Sequence, residues 1–144
     1  MPDRREALRR SLALAAAGFL SPGFARAKSP AGFSSYPFTL GVAAGSPTAT
    51  GFVIWTRLAP LPLEGGGLGA EGHEVRWEVA HDEKFARIAK RGTVTAEASR
   101  AHAVHVEVEG LEPGRWYHYR FLAGGEASAT GRSRTAPAAG SGDG

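Results

Sequence analysis

Between residues 102 and 109 the chain alternates apolar and polar side chains without a break. Val104, Val106 and Val108 fall on one side, and Ala103, His105, Glu107 and Glu109 on the other. Only an extended strand puts residues two apart on a common face, because a helix repeats every ~3.6 residues. The same period returns in Glu74–Ala80, where Val75, Trp77 and Val79 face away from Arg76 and Glu78, and in Trp116–Leu122, where Tyr117, Tyr119 and Phe121 share a side. Each run demands a sheet with one face in a core and one face outside it.

The remaining segments read as further strands and the turns between them. Gly51–Leu58 is apolar on both faces, with Phe52 and Ile54 opposite Val53 and Trp55, as expected of a central strand. Phe38–Val42 reads as a first strand and Gly45-Ser46-Pro47 as its turn, while Ala59–Gly72 is a Pro/Gly loop. Phe85 and Ile88, three apart, suggest a helical turn over His81–Lys90 before a strand at Gly92–Glu97, and Ala127–Thr135 reads as a weakly apolar edge strand. About seven short strands with no long helix predict an all-β fold, a two-layer β-sandwich of the fibronectin type III or immunoglobulin-like kind. The segment Leu111-Glu112-Pro113-Gly114-Arg115-Trp116-Tyr117 has the L-x-P-x-x-x-Y spacing of the turn before the penultimate strand of fibronectin type III domains. It gives Tyr117 a structural role, with its ring in the core and its hydroxyl bonded back to the turn.

A chain of 144 residues has room for one such domain, since single cores usually take ~100 to 150 residues. Its first 27 residues read as an export signal. Arg4, Arg5, Arg9 and Arg10 precede a short apolar run over Ser11–Leu20, and Ala25-Arg26-Ala27 is a small-x-small cleavage site. The run is shorter than the ~18 residues a membrane helix needs, so no permanent anchor is expected. Arg4-Arg5 followed by Glu6-Ala7-Leu8 resembles the signal of the twin-arginine pathway, which points to a periplasmic or extracellular destination. Residues 28–36 then read as a linker, 37–137 as the domain and 138–144 as a linker-like tail.

The signal also accounts for the basic pI. Residues 1–27 hold five of the 17 basic and two of the 14 acidic residues, leaving 12 of each in the mature chain. A formally neutral domain gives no support to nucleic-acid binding. The absence of cysteine excludes a disulfide scaffold and thiolate metal ligands.

Few residues are placed to do chemistry. Gly67-Leu68-Gly69-Ala70-Glu71-Gly72 fits G-x-G-x-x-G, but a dinucleotide site needs a strand before it and a helix after it, whereas prolines precede this one and a strand follows. His105 and Glu107 could offer two ligands from one strand face, yet His73, His81, His102 and His118 have no spacing that promises a third. No G-x-S-x-G elbow occurs, and the aspartates are confined to Asp3, Asp82 and Asp143. No catalytic and no metal residue is therefore assigned. What exceeds the needs of a bare sandwich is Trp55 with Arg57 and Trp116 with Arg120, residue types enriched at interfaces, which are candidate docking residues. The plain alternative is sheet packing with arginine stems covering apolar surface.

Several ordered segments carry a family resemblance. Phe38-Thr39-Leu40-Gly41-Val42-Ala43-Ala44-Gly45-Ser46-Pro47 and Gly51-Phe52-Val53-Ile54-Trp55-Thr56-Arg57-Leu58 resemble the opening of the N-terminal domain of PhoD-like phosphatases, the alkaline phosphatase D family. Val75-Arg76-Trp77-Glu78-Val79-Ala80-His81-Asp82, then Gly110 through Phe121, and finally Gly131-Arg132-Ser133-Arg134-Thr135-Ala136-Pro137 continue it in order. One departure is Ser46, where the family usually has an acidic residue. The resemblance implies a phosphoric ester hydrolase whose catalysis belongs to a second, larger domain beginning just after Thr-Ala-Pro, with calcium and iron held there partly by cysteine and aspartate. No catalytic residue carries over to this chain, which is expected to be inactive alone, to bind no cofactor itself and to partner such a catalytic domain in cis or as a split product. The competing readings are a stand-alone exported fibronectin-III-like module for adhesion or carbohydrate contact, and a small hydrolase in its own right.

Overall fold

A computed structural model describes residues 32–142. The expectations for the signal, including Arg4, Arg5, Ala25 and Ala27, and for the first part of the linker lie outside the described residues. Eight strands follow in order: β1 (Val42–Gly45), β2 (Phe52–Arg57), β3 (His73–Ala80), β4 (Ile88–Ala96), β5 (Ala103–Val108), β6 (Trp116–Ala123), β7 (Glu126–Ala127) and β8 (Gly131–Arg134). A three-residue 3-10 turn, Ala98–Arg100, precedes β5.

All pairings are antiparallel. One sheet runs β1-β2-β5, and the other runs β4-β3-β6 with both β7 and β8 on the free side of β6. The alternating residues supply the inner faces: Phe52 and Ile54 from β2, Val104 and Val108 from β5, Val75 and Val79 from β3, and Tyr117, Tyr119 and Phe121 from β6 form one buried cluster. Phe52 bridges the sheets, its ring centroid 6.2 Å from Tyr117 and 6.5 Å from Tyr119. Each fully buried Val, Ile or Phe contributes about 1.5 to 3 kcal/mol relative to exposure, so this layer dominates the stability of the domain. The strand order and the single shared core are those of a fibronectin type III-like sandwich.

Three hydrogen bonds, made by two buried hydroxyls, fasten the connection into β6. The Glu112 N–H donates to the Tyr117 hydroxyl at 2.9 Å, so the buried ring closes the turn that delivers it to the core. Thr135, also buried, donates from its hydroxyl to the Glu112 carbonyl at 2.6 Å and accepts from the Arg115 N–H at 3.0 Å. The end of the domain is thereby tied to the same turn.

Three expected elements differ. The first strand begins at Val42 rather than Phe38, because Gly41, at φ 76°, reverses the chain with its N–H bonded to the Phe38 carbonyl. Phe38 reaches the core from that turn, with the neighbouring Pro37 carbonyl accepting from Ala59 N–H. No helical turn forms over His81–Lys90. Instead the Asp82 carboxylate accepts the Ala86 and Arg87 N–H groups at 3.1 and 2.8 Å, Phe85 takes φ 55°, and β4 starts already at Ile88. The single edge strand expected over Ala127–Thr135 is interrupted by a bulge. From Leu122↔Ala127 to Tyr119↔Gly131 the edge strand advances four residues against three on β6. The Ser128 hydroxyl takes up the Phe121 N–H at 2.9 Å where the ladder breaks.

Two core aromatics lie over glycines on neighbouring strands. Tyr119 covers Gly131, its register partner, so closely that a Cβ there would clash with the ring, and Trp77 covers Gly92 in the same way across β3 and β4. Tyr117→Phe should lower the unfolding free energy by about 1 kcal/mol in urea denaturation, through loss of one partly buried hydrogen bond. Gly131→Ala should cost more, about 1 to 3 kcal/mol, because the added methyl must displace the Tyr119 ring from a packed core. Equal effects of the two substitutions would contradict the packing described.

Candidate functional site

Strand alternation sends Trp55 and Arg57 to the outer face of the three-stranded sheet, since Phe52, Ile54 and Thr56 point inward and are buried. Trp55 touches both neighbouring strands. Its ring is stacked on His105 of β5 at 5.9 Å and 23°, and its far edge lies 3.2 Å from where a Cβ on Gly45 of β1 would sit. Glycine at that position leaves room for the ring to lie there undisplaced. The Arg57 Nε donates to the Ala101 carbonyl at 2.9 Å. A groove beside Trp55 is lined by Leu40, Val42, Ala43, Arg57 and His105.

Trp116 and Arg120 point outward from the opposite sheet, because Tyr117, Tyr119 and Phe121 occupy its inner face. Trp116 is 51% exposed, with the Arg132 guanidinium 4.3 Å from its ring and that of Arg134 at 6.0 Å. Arg120 is committed locally. Its Nε and a terminal nitrogen each lie 2.8 Å from one Glu78 oxygen, and its guanidinium sits 4.1 Å over the Phe85 ring. The two Trp–Arg pairs thus occupy the outer faces of different sheets and form no common surface.

The histidines are arranged differently from what their spacing suggested. His73, at the start of β3, and His102, just before β5, meet edge-on at 5.6 Å, and Phe33 packs on His73 at 5.2 Å. His102 is buried and its Nε2 lies 2.9 Å from the Glu71 carbonyl. The two residues come from different sheets at one end of the sandwich, a proximity that no sequence spacing could disclose. Among the described residues, no three His, Cys, Asp or Glu side chains group as a metal site would require. The G-x-G-x-x-G stretch is loop, with Gly67 at φ 80° and no helix after it. A cleft of about 500 Å³ is lined by His81, Arg87, Glu112, Arg115 and Tyr117. The Glu112–Arg115 pair there, at 2.8 Å, is largely exposed, and such surface pairs contribute little.

Two groups among the described residues have displaced titrations. Burial pushes the Tyr119 hydroxyl above its ordinary range. The Arg87 N–H holds Asp82 below its usual value of 3.8, against an opposing effect of desolvation and with lesser help from the Ala86 N–H. The family match now decides what kind of domain this is: residues 24–137 match the PhoD-like phosphatase, N-terminal domain. The chain belongs to the PhoD-like phosphatase family. Alkaline phosphatase D of Bacillus subtilis (strain 168) is 56% identical over 108 residues, which is 75% of this chain and 18% of that protein. A solved structure of PhoD superposes with a TM-score of 0.76 at 54% identity, over 77% of this chain and 21% of that one. The sensor domain of the anti-sigma factor RsgI4 of Pseudobacteroides cellulosolvens, 12% identical, superposes at 0.52 over 67% of this chain and 92% of its own, and shares the fold. This PhoD-like chain therefore spans about a fifth of the length of its near relatives.

The Asp82 turn of the PhoD-like domain has a definite pH signature. A carboxylate lowered in the folded state stabilises the fold above its unfolded value, near 3.8, and that contribution disappears as pH falls through the lower folded value. Asp82→Ala should therefore reduce stability at neutral pH and cost progressively less as the pH is lowered below 3.8, measured by urea denaturation across that range. An equal loss throughout would mean that the carboxylate charge is not what organises the turn.

Proposed function

We propose that this domain is the N-terminal accessory domain of an exported alkaline phosphatase D-type phosphatase or phosphodiesterase, and that it acts by docking against the catalytic domain of such an enzyme and helping to shape the substrate entrance. The observation that carries the reading is the 56% identity to alkaline phosphatase D confined to 18% of that protein. A domain so closely related, yet covering so little of the enzyme, is one component of a larger machine. The calcium and iron implied by the family do not fit the side chains described here, since no three potential ligands converge. Their place in this proposal is the catalytic domain, and no chemical step is routed through this chain.

Two experiments test the proposal. The purified chain, given a chromogenic phosphodiester with calcium and iron, should show only background turnover. A fusion in which residues 37–137 replace the corresponding segment of Bacillus subtilis alkaline phosphatase D should be active. Turnover by the chain alone would overturn the accessory role, and a folded but inactive fusion would count against the docking function. Export by the twin-arginine route predicts that replacing Arg4 and Arg5 together with lysine leaves the precursor in the cytoplasm, measured by fractionation. Unchanged export would contradict that route.

A further inference from the structure

The two outer faces of the sandwich differ in kind. The face of β1, β2 and β5 carries Ala43, Gly45, Val53, Trp55, Ala103 and His105, with the charges of Arg57 and Glu107 at its two ends. Along its middle row, Ala43, Trp55 and His105 are neighbours across the three strands. The opposite face presents Arg76, Glu78, Arg91, Arg120, Arg132 and Arg134, with Arg91, Glu78 and Arg120 in one cross-strand row. That second face is mostly charged, and three of its arginines are already engaged, Arg120 with Glu78 and Phe85, and Arg132 and Arg134 with the half-exposed Trp116. A central strand apolar on both sides, by contrast, is characteristic of a sheet covered on both faces.

The course of the chain adds an independent argument. Ala136 leaves the sandwich with its N–H bonded at 2.8 Å to the Thr48 carbonyl, in the turn between β1 and β2. Its carbonyl accepts the Gly114 N–H at 2.9 Å in the turn into β6, so in relatives of which this domain is about a fifth, whatever follows the matched segment starts at this end of the sandwich, between the two sheets. A short connection restricts the following domain to the surfaces nearest that point and raises its effective concentration there.

We infer that the outer face of the three-stranded sheet, with Trp55 as its anchor and Leu40 at its rim, is the surface on which the catalytic domain of a PhoD-like enzyme seats in cis. The inference rests on the accessory reading above and assigns its interface to one side. Leu40 is 55% exposed, and it borders the groove beside Trp55. A flat aromatic supported from below by Gly45 and from the side by His105 is a rigid anchor, which loses little freedom when a partner covers it. Arg57 is tethered by Ala101 at the end of the same strand and serves as a polar rim. Trp116 and Arg120 then belong to the solvent face.

The test uses the fusion enzyme together with the isolated chain. Trp55→Ser in the fusion should split a single thermal transition into two and shorten the half-life of phosphatase activity about tenfold or more, the scale of loss on removing a central interface aromatic. Trp116→Ser should do neither. Val53→Lys, which places a charge on the same outer face opposite Gly45, should reproduce the Trp55→Ser result, while both variants of the isolated chain still unfold cooperatively. Uncoupling by Trp116→Ser and not by Trp55→Ser or Val53→Lys would overturn the choice of face and leave the accessory role standing. Coupled unfolding in all three variants would overturn Trp55 as the anchor, and two independent transitions in the unmutated fusion would overturn the docking reading itself.

Discussion

The contact of Phe52 with Tyr117 and Tyr119 joins two sheets that make no main-chain hydrogen bonds to each other. Everything else in the fold follows from keeping that layer shut. The alternating strands supply it with valines, the Tyr117 hydroxyl fixes the turn that brings its own ring inward, and Thr135 ties the last residues of the domain to that same turn. Because one layer of side chains satisfies both sheets, neither outer face is needed for stability. Each is free to be either solvated or used.

The period-two runs were the most legible part of the sequence, and they gave the inner residues of β3, β5 and β6 correctly. Placement failed where local pattern competes with distant bonding. Phe38–Val42 has strand-like composition, but Gly41 turns the chain and Phe38 is drawn into the core beside a segment some twenty residues away. At His81–Lys90 the i, i+3 spacing of Phe85 and Ile88 is equally compatible with a tight turn, and the Asp82 carboxylate, bonding two backbone N–H groups, decides for the turn. The glycines were the subtlest case. Gly45, Gly92 and Gly131 lie in strands rather than joints, each beneath an aromatic ring from the next strand, and only the cross-strand register reveals why.

The candidate site was half legible. Residue type singled out Trp55, Arg57, Trp116 and Arg120, but period two says only that a side chain points away from its own core, never which sheet it lies on. The fold separates them onto opposite faces, and it also brings His73 and His102 together, whose numbers give no hint of it. Ser46 is a further case. It sits at φ 49°, a conformation that Asp and Asn adopt more readily than most side chains, so aspartate there would suit the turn better than serine does.

This PhoD-like domain is a scaffold with one charged outer face and one with few charges, and on our proposal the second is covered in the complete enzyme. Hydroxyl-radical footprinting of the isolated chain and of the fusion with the alkaline phosphatase D catalytic region measures this directly. The oxidation rate of Trp55 should fall sharply on joining the two, with that of Trp116 unchanged. Protection of Trp116 with Trp55 still open would contradict it.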